Sequence, residues 1–178
     1  MREAIRRLSA EGLVVKSPRH GAQVATISQD DLKELYALRS MVESHAARRA
    51  AQRITSEQLA RLEALADRME DAERSGAEAV WSRFTPANSE FHNIILEAAM
   101  SPRLTAMAAI VVQLPLTLRT LSRYTGADRE RSHRHHRELI DAFRAQNADW
   151  ASAVMQSHVE AALEALLRGA AARASAIA

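Results

Sequence analysis

The chain has no cysteine, which removes disulfides and thiolate metal sites and fits a reducing compartment. Aromatics make up 4% of its residues, with only 5 glycines and 4 prolines among 178. That scarcity, with alanine and leucine dominating and arginine as the main cation, favours an all-helical fold. There is no apolar run of membrane-spanning length and no signal-like leader, so a cytoplasmic protein with no membrane partner is expected. A formal net charge of +2 is too small to argue for nucleic acid. No repeat with a period of 20–50 residues is visible, which disfavours a solenoid.

What is present is length enough for one buried core plus a small appendage. Arg2, Arg6, Arg7, Lys16, Arg19 and His20 cluster near the start as a local basic patch. Within that stretch, Ala4, Ile5 and Leu8 predict a short amphipathic helix that stops at Gly12. Two extended runs around Val14 and Val24, with Pro18 and Gly21 between them, predict a hairpin with a basic tip. From Ser28 onward the apolar spacing is helical. It predicts helices over about 28–53, 55–76, 79–99 with a possible break at Pro86, a fourth after Pro102 kinked at Pro115, then 129–146 and 149–173. The expectation is an antiparallel bundle of about six helices over 28–178, preceded by a small basic piece over 1–27.

Asn88, His92, His136 and His158 each fall on an apolar stripe of these predicted helices. Asn88 and His92 are spaced i, i+4 and share a face. His136 is in register with Leu139, Ile140 and Phe143, and His158 with Val154, Met155 and Leu166. Buried imidazoles need partners, and several converging from separate helices can share one divalent ion, zinc or nickel before others. Spacing alone equally admits ordinary polar residues satisfied by backbone groups.

Arg39 lies between apolar positions Leu35 and Val42, so its guanidinium should find a carboxylate. A bound acid, Glu43 at i+4, or solvent at the stripe's edge are the three options. His133 and His135 point away from His136 by helical geometry and are expected on a solvated face. Glu130 and His133 form a lone E-x-x-H, without the second motif and extra glutamates of a di-iron bundle. Histidines with open coordination could activate water, but Glu90 stands two residues before His92 and points elsewhere. No general base is evident, and no catalysis is expected.

These residues resemble a known family. The run Arg2-Glu3-Ala4-Ile5-Arg6-Arg7-Leu8, continuing through Gly12-Leu13-Val14 to Pro18-Arg19-His20-Gly21, resembles the recognition helix and wing of GntR-type winged-helix transcription regulators. The bundle is similar to the effector-binding FCD domain of the FadR subfamily. Its marks are Asp31-Leu32-Lys33-Glu34-Leu35-Tyr36-Ala37-Leu38-Arg39, Asn88 followed by Phe91-His92, His136 followed by Leu139-Ile140-Asp141-Ala142, and Met155-Gln156-Ser157-His158. The likeness covers essentially the whole chain, and the order of these strings is more specific than any one of them.

The resemblance implies a dimeric regulator, expected to repress, that binds an inverted-repeat DNA operator. Arg2, Arg6, Arg7, Arg19, His20 and Gly21 would contact DNA. Asn88, His92, His136 and His158 would hold a divalent metal, and Arg39 would meet a small organic-acid effector. Composition alone leaves the basic piece equally a solvated charged helix. Two departures stand out. Asn88 occupies a position where many metal-binding members carry aspartate, which weakens charge at the site. The two helices that usually precede the recognition helix are absent, with Met1 where a valine is common. An internal start codon is one expectation, and a stand-alone metal- and ligand-binding module is the alternative function. A metal-dependent hydrolase ranks last.

Overall fold

The computed structural model describes residues 14–17, 21–24, 28–76, 80–112 and 120–177. The predicted recognition helix with Arg2, Arg6 and Arg7 lies outside the described residues, as do Arg19 and His20 at the expected wing tip. The chain divides into two units, 1–33 and 34–178.

In the first unit, β1 (Val14–Ser17) pairs antiparallel with β2 (Gly21–Val24), in the register Val14 to Val24 and Ser17 to Gly21. This is the hairpin the sequence predicts. Gly21 is exposed and has φ 71°, a left-handed conformation that glycine takes without strain. Helix α1 (Gln29–Ala50), which from Glu34 onward belongs to the second unit, begins at Ser28, whose hydroxyl accepts from the Asp31 amide at 3.1 Å. The Asp31 carboxylate takes the reciprocal bond from the same hydroxyl at 2.6 Å.

The second unit is the helical bundle. Helix α2 (Ser56–Arg74) starts with a capping box of Thr55 and Gln58. A π-helical turn (Val80–Phe84) leads directly into α3 (Thr85–Ala98). Pro86 therefore sits in the first turn of α3, where its missing N–H has no helical partner to lose, rather than breaking a longer helix. Helix α4 (Pro102–Val111) is capped by Ser101, and Pro115, where a kink is expected, lies outside the described residues. Helix α5 (Gly126–Arg144) starts three residues earlier than the apolar pattern suggests, because Thr125 and Asp128 form a capping box. Helix α6 (Ala148–Ile177) follows Asn147, whose side-chain oxygen accepts from the Trp150 amide at 3.0 Å.

Among the described residues, six α-helices make a helical bundle, as expected from composition and period. α2 packs on α3 and α5, and α5 packs on α6. Leu62, Leu65 and Met69 of α2 meet a core that includes Phe91 and Ile95 of α3, Leu139 and Phe143 of α5, and Met155 and Val159 of α6, all buried. Each such side chain taken from water contributes about 1.5–3 kcal/mol. A second cluster joins Val42 and Ala46 of α1 to Leu104, Ala108 and Val111 of α4. Among the described residues no helix is long and apolar enough to cross a membrane.

Candidate metal centre

Helices α3, α5 and α6 each contribute one histidine to a common point. A ring nitrogen of His92, one of His136 and one of His158 all lie within 4.8 Å of one another. Ring centroids are 4.8 Å apart for His136 and His158, 5.2 Å for His92 and His158, and 5.8 Å for His92 and His136. The apolar stripes that bury Phe91, Leu139 and Met155 turn these imidazoles inward.

His136 is 0% exposed, and neither of its ring nitrogens has a hydrogen-bond partner. Leaving such a group unbonded costs about 1–3 kcal/mol. Burial holds the His136 and His158 pKa values well below the ordinary histidine value, and the neighbouring imidazoles push in the same direction. Both rings are therefore neutral near pH 7, with a lone pair free to coordinate. Buried, neutral, mutually facing and, at His136, unsatisfied imidazoles fit the donor set of a borderline divalent ion.

Glu43 of α1 completes the surroundings. Its Oε2 lies 2.9 Å from His92 Nδ1, and its Oε1 accepts from Arg39 Nε at 3.0 Å. Burial alone would raise the Glu43 pKa, but Arg39 and the His92 hydrogen bond outweigh it and bring it to about 2. An ionised carboxylate only accepts, so Nδ1 of His92 donates to Glu43, which leaves Nε2 as the nitrogen available to a metal. Arg39 is itself buried, lies 4.7 Å over the Tyr36 ring, and keeps its charge because Glu43 overcomes the penalty of burial.

Arg39, Glu43, Asn88, His92 and His158 line one cavity of about 410 Å³. Asn88 is buried one turn before His92. Thr120, whose hydroxyl shares a 2.5 Å hydrogen bond with that of Tyr36, and Tyr124 form part of the wall. Burial pushes the Tyr124 pKa above its ordinary value.

The carboxylate that meets Arg39 is therefore Glu43, one of the options the sequence leaves open, and Arg39 lines the cavity as well. Glu43 has a second role, on His92, that the sequence analysis misses. The available signal was an Arg–Glu pair at i, i+4 within a stripe that holds Tyr36 and Val42. Glu90 pairs with Arg61 at 3.0 Å, away from the histidines as expected. The solvated face predicted for His133 and His135 is incorrect. His133 packs edge-on against Phe84 with both ring nitrogens buried, and the His135 ring lies 5.8 Å from that of His158. Neighbours on α2, α6 and the π-helical turn cover the flanks of the inward face of α5.

The model of the FCD domain matches residues 34–161, the bundle that holds this cluster. The chain belongs to the FCD domain family. The FCD chain is 26% identical over 159 residues to the uncharacterized HTH-type transcriptional regulator YdhC of Bacillus subtilis, covering 89% of this chain and 70% of that one. It is 25% identical over 166 residues to the uncharacterized HTH-type transcriptional regulator BphR of Paraburkholderia xenovorans, covering 92% and 68%. In fold it is similar to E. coli McbR/YncC, with TM-score 0.80, 19% identity and coverage of 94% and 83%. It is also similar to Streptococcus agalactiae GntR, with TM-score 0.60, 24% identity and coverage of 92% and 79%. The chain thus carries an FCD domain, and both of these sequence relatives are named as transcriptional regulators.

Proposed function

We propose that this regulator senses a small organic acid through a divalent metal, zinc or nickel, held in its FCD domain by His92, His136, His158 and Asn88. The observation that carries the reading is His136, fully buried, bonded to nothing, and facing two other imidazoles. When bound, the ion supplies positive charge and coordination positions that a carboxylate can fill.

The protein's own residues do the rest. Glu43 orients His92, and Asn88 offers a neutral carboxamide oxygen where a charge would bind more tightly. Of the five N–H donors of Arg39, Nε goes to Glu43, and the guanidinium that lines the cavity provides a second contact for an acid. An acid that joins α1, α3 and α6 in this way favours one packing of those helices over another, which is how binding shifts a two-state equilibrium.

On this reading the chain is of the FadR subfamily, with residues 1–27 reading DNA and 28–178 sensing. A homodimer in the cytoplasm binds an inverted-repeat operator and represses. Arg2, Arg6, Arg7, Arg19 and His20 approach the DNA, and Gly21 permits close contact with its backbone. Gel-shift titration on the DNA flanking its own gene tests the proposal, with protein stripped of metal, reloaded with zinc or nickel, and then given organic acids. The expected result is DNA affinity that responds to an acid only in the metal-loaded protein. Equal responses with and without metal would overturn it.

A further inference from the structure

The residues around the cavity change character along α3. Asn88 and His92 give way one turn later to Leu96, which packs against the apolar cluster of α1 and α4. Ala108, Ala109 and Val112 at the α4 side of the cavity continue that apolar wall, with Thr105 as its polar member. Among the described lining residues, Arg39 is the lone cation apart from the histidines, and Glu43 already shares its charge.

These facts bear on the size and charge of the acid. An acid of acetate size would fill a small part of about 410 Å³ and leave the apolar wall in contact with water. A second carboxylate reaching Leu96, Ala108 or Val112 would meet no cation among the described lining residues. Resting on the metal-and-carboxylate reading above, we infer that the ligand is a monocarboxylate with an apolar body. Its head lies at His92 and Arg39, and the apolar body of this ligand of about ten non-hydrogen atoms lies against Leu96, Ala108 and Val112.

Calorimetric titration of the zinc- and nickel-loaded protein with acetate, butanoate, hexanoate and octanoate tests this, with succinate, citrate and octanol alongside. Affinity is expected to rise about 3- to 4-fold for each added methylene until the cavity is full. Citrate and succinate should bind less tightly than octanoate. Acetate or citrate binding as tightly as octanoate would overturn the apolar body while leaving the carboxylate head intact. No binding by any acid, or octanol matching octanoate, would instead overturn the reading on which it rests. Ala109 is exposed on α4, and Ala109→Trp should lower the ratio of octanoate to acetate affinity tenfold or more. An unchanged ratio would contradict the placement.

Discussion

His92 Nδ1 donates to Oε2 of Glu43 at 2.9 Å, joining α1 to α3 across 49 residues of sequence. The other oxygen of that carboxylate holds Arg39, so one ionised group sets both the tautomer of an imidazole and the charge of a guanidinium. The cluster of histidines is thus tied to the element that lies nearest in sequence to the hairpin.

Glu43→Gln keeps the size of this side chain and removes its charge. Metal affinity is expected to fall by about 10- to 100-fold, as it does when an imidazole ligand loses its carboxylate partner. Competition against a chromophoric chelator measures this. Affinity equal to the parent protein would show that Glu43 has no orienting role.

His136→Leu separates packing from coordination. In metal-free protein it removes two unbonded buried nitrogens, so stability should rise by about 1–3 kcal/mol, a few degrees in Tm for a chain of this size. The same substitution should abolish any rise in Tm on adding zinc or nickel. Thermal melts with and without metal read both effects. A metal-free variant less stable than the parent would mean that His136 contributes packing a leucine cannot replace.

Asp128 gives a pH dependence independent of the metal. It accepts from the Thr125 amide at 3.0 Å and hydroxyl at 2.7 Å, and from Arg168 at 2.6 Å. Burial would raise its pKa, but these bonds bring it from 3.8 to about 2. Because the folded value lies below the unfolded one, the stabilisation is complete above about pH 4 and is lost as pH falls toward 2, by about 2 kcal/mol. Asp128→Asn should lower stability at pH 6 and flatten its dependence on pH in that window. Urea midpoints at pH 6 and pH 3 test this, and parallel losses in parent and variant would contradict it.

Much of this was legible in local pattern. Apolar period located the helices, and Ser28, Thr55, Ser101 and Asn147 marked where four of them begin. The same period turned His92, His136 and His158 inward, since a stripe that buries Phe143 or Met155 buries what shares its face. What remained hidden depends on neighbours distant in sequence. Nothing local links Glu43 to His92, or tells that Phe84 will cover His133. The start of α5 escaped for a different reason. Its first turn is polar and held by the Thr125–Asp128 capping box, so apolar spacing does not register it.

The most direct test is titration of chelator-stripped protein with cobalt(II), followed by its visible absorption and checked by elemental analysis of zinc- and nickel-loaded samples. The account predicts saturation at one ion per chain, with ligand-field bands of nitrogen and oxygen coordination that vanish in His92→Ala, His136→Leu and His158→Ala. Absence of saturable binding, or bands that persist in the His136→Leu protein, would contradict it.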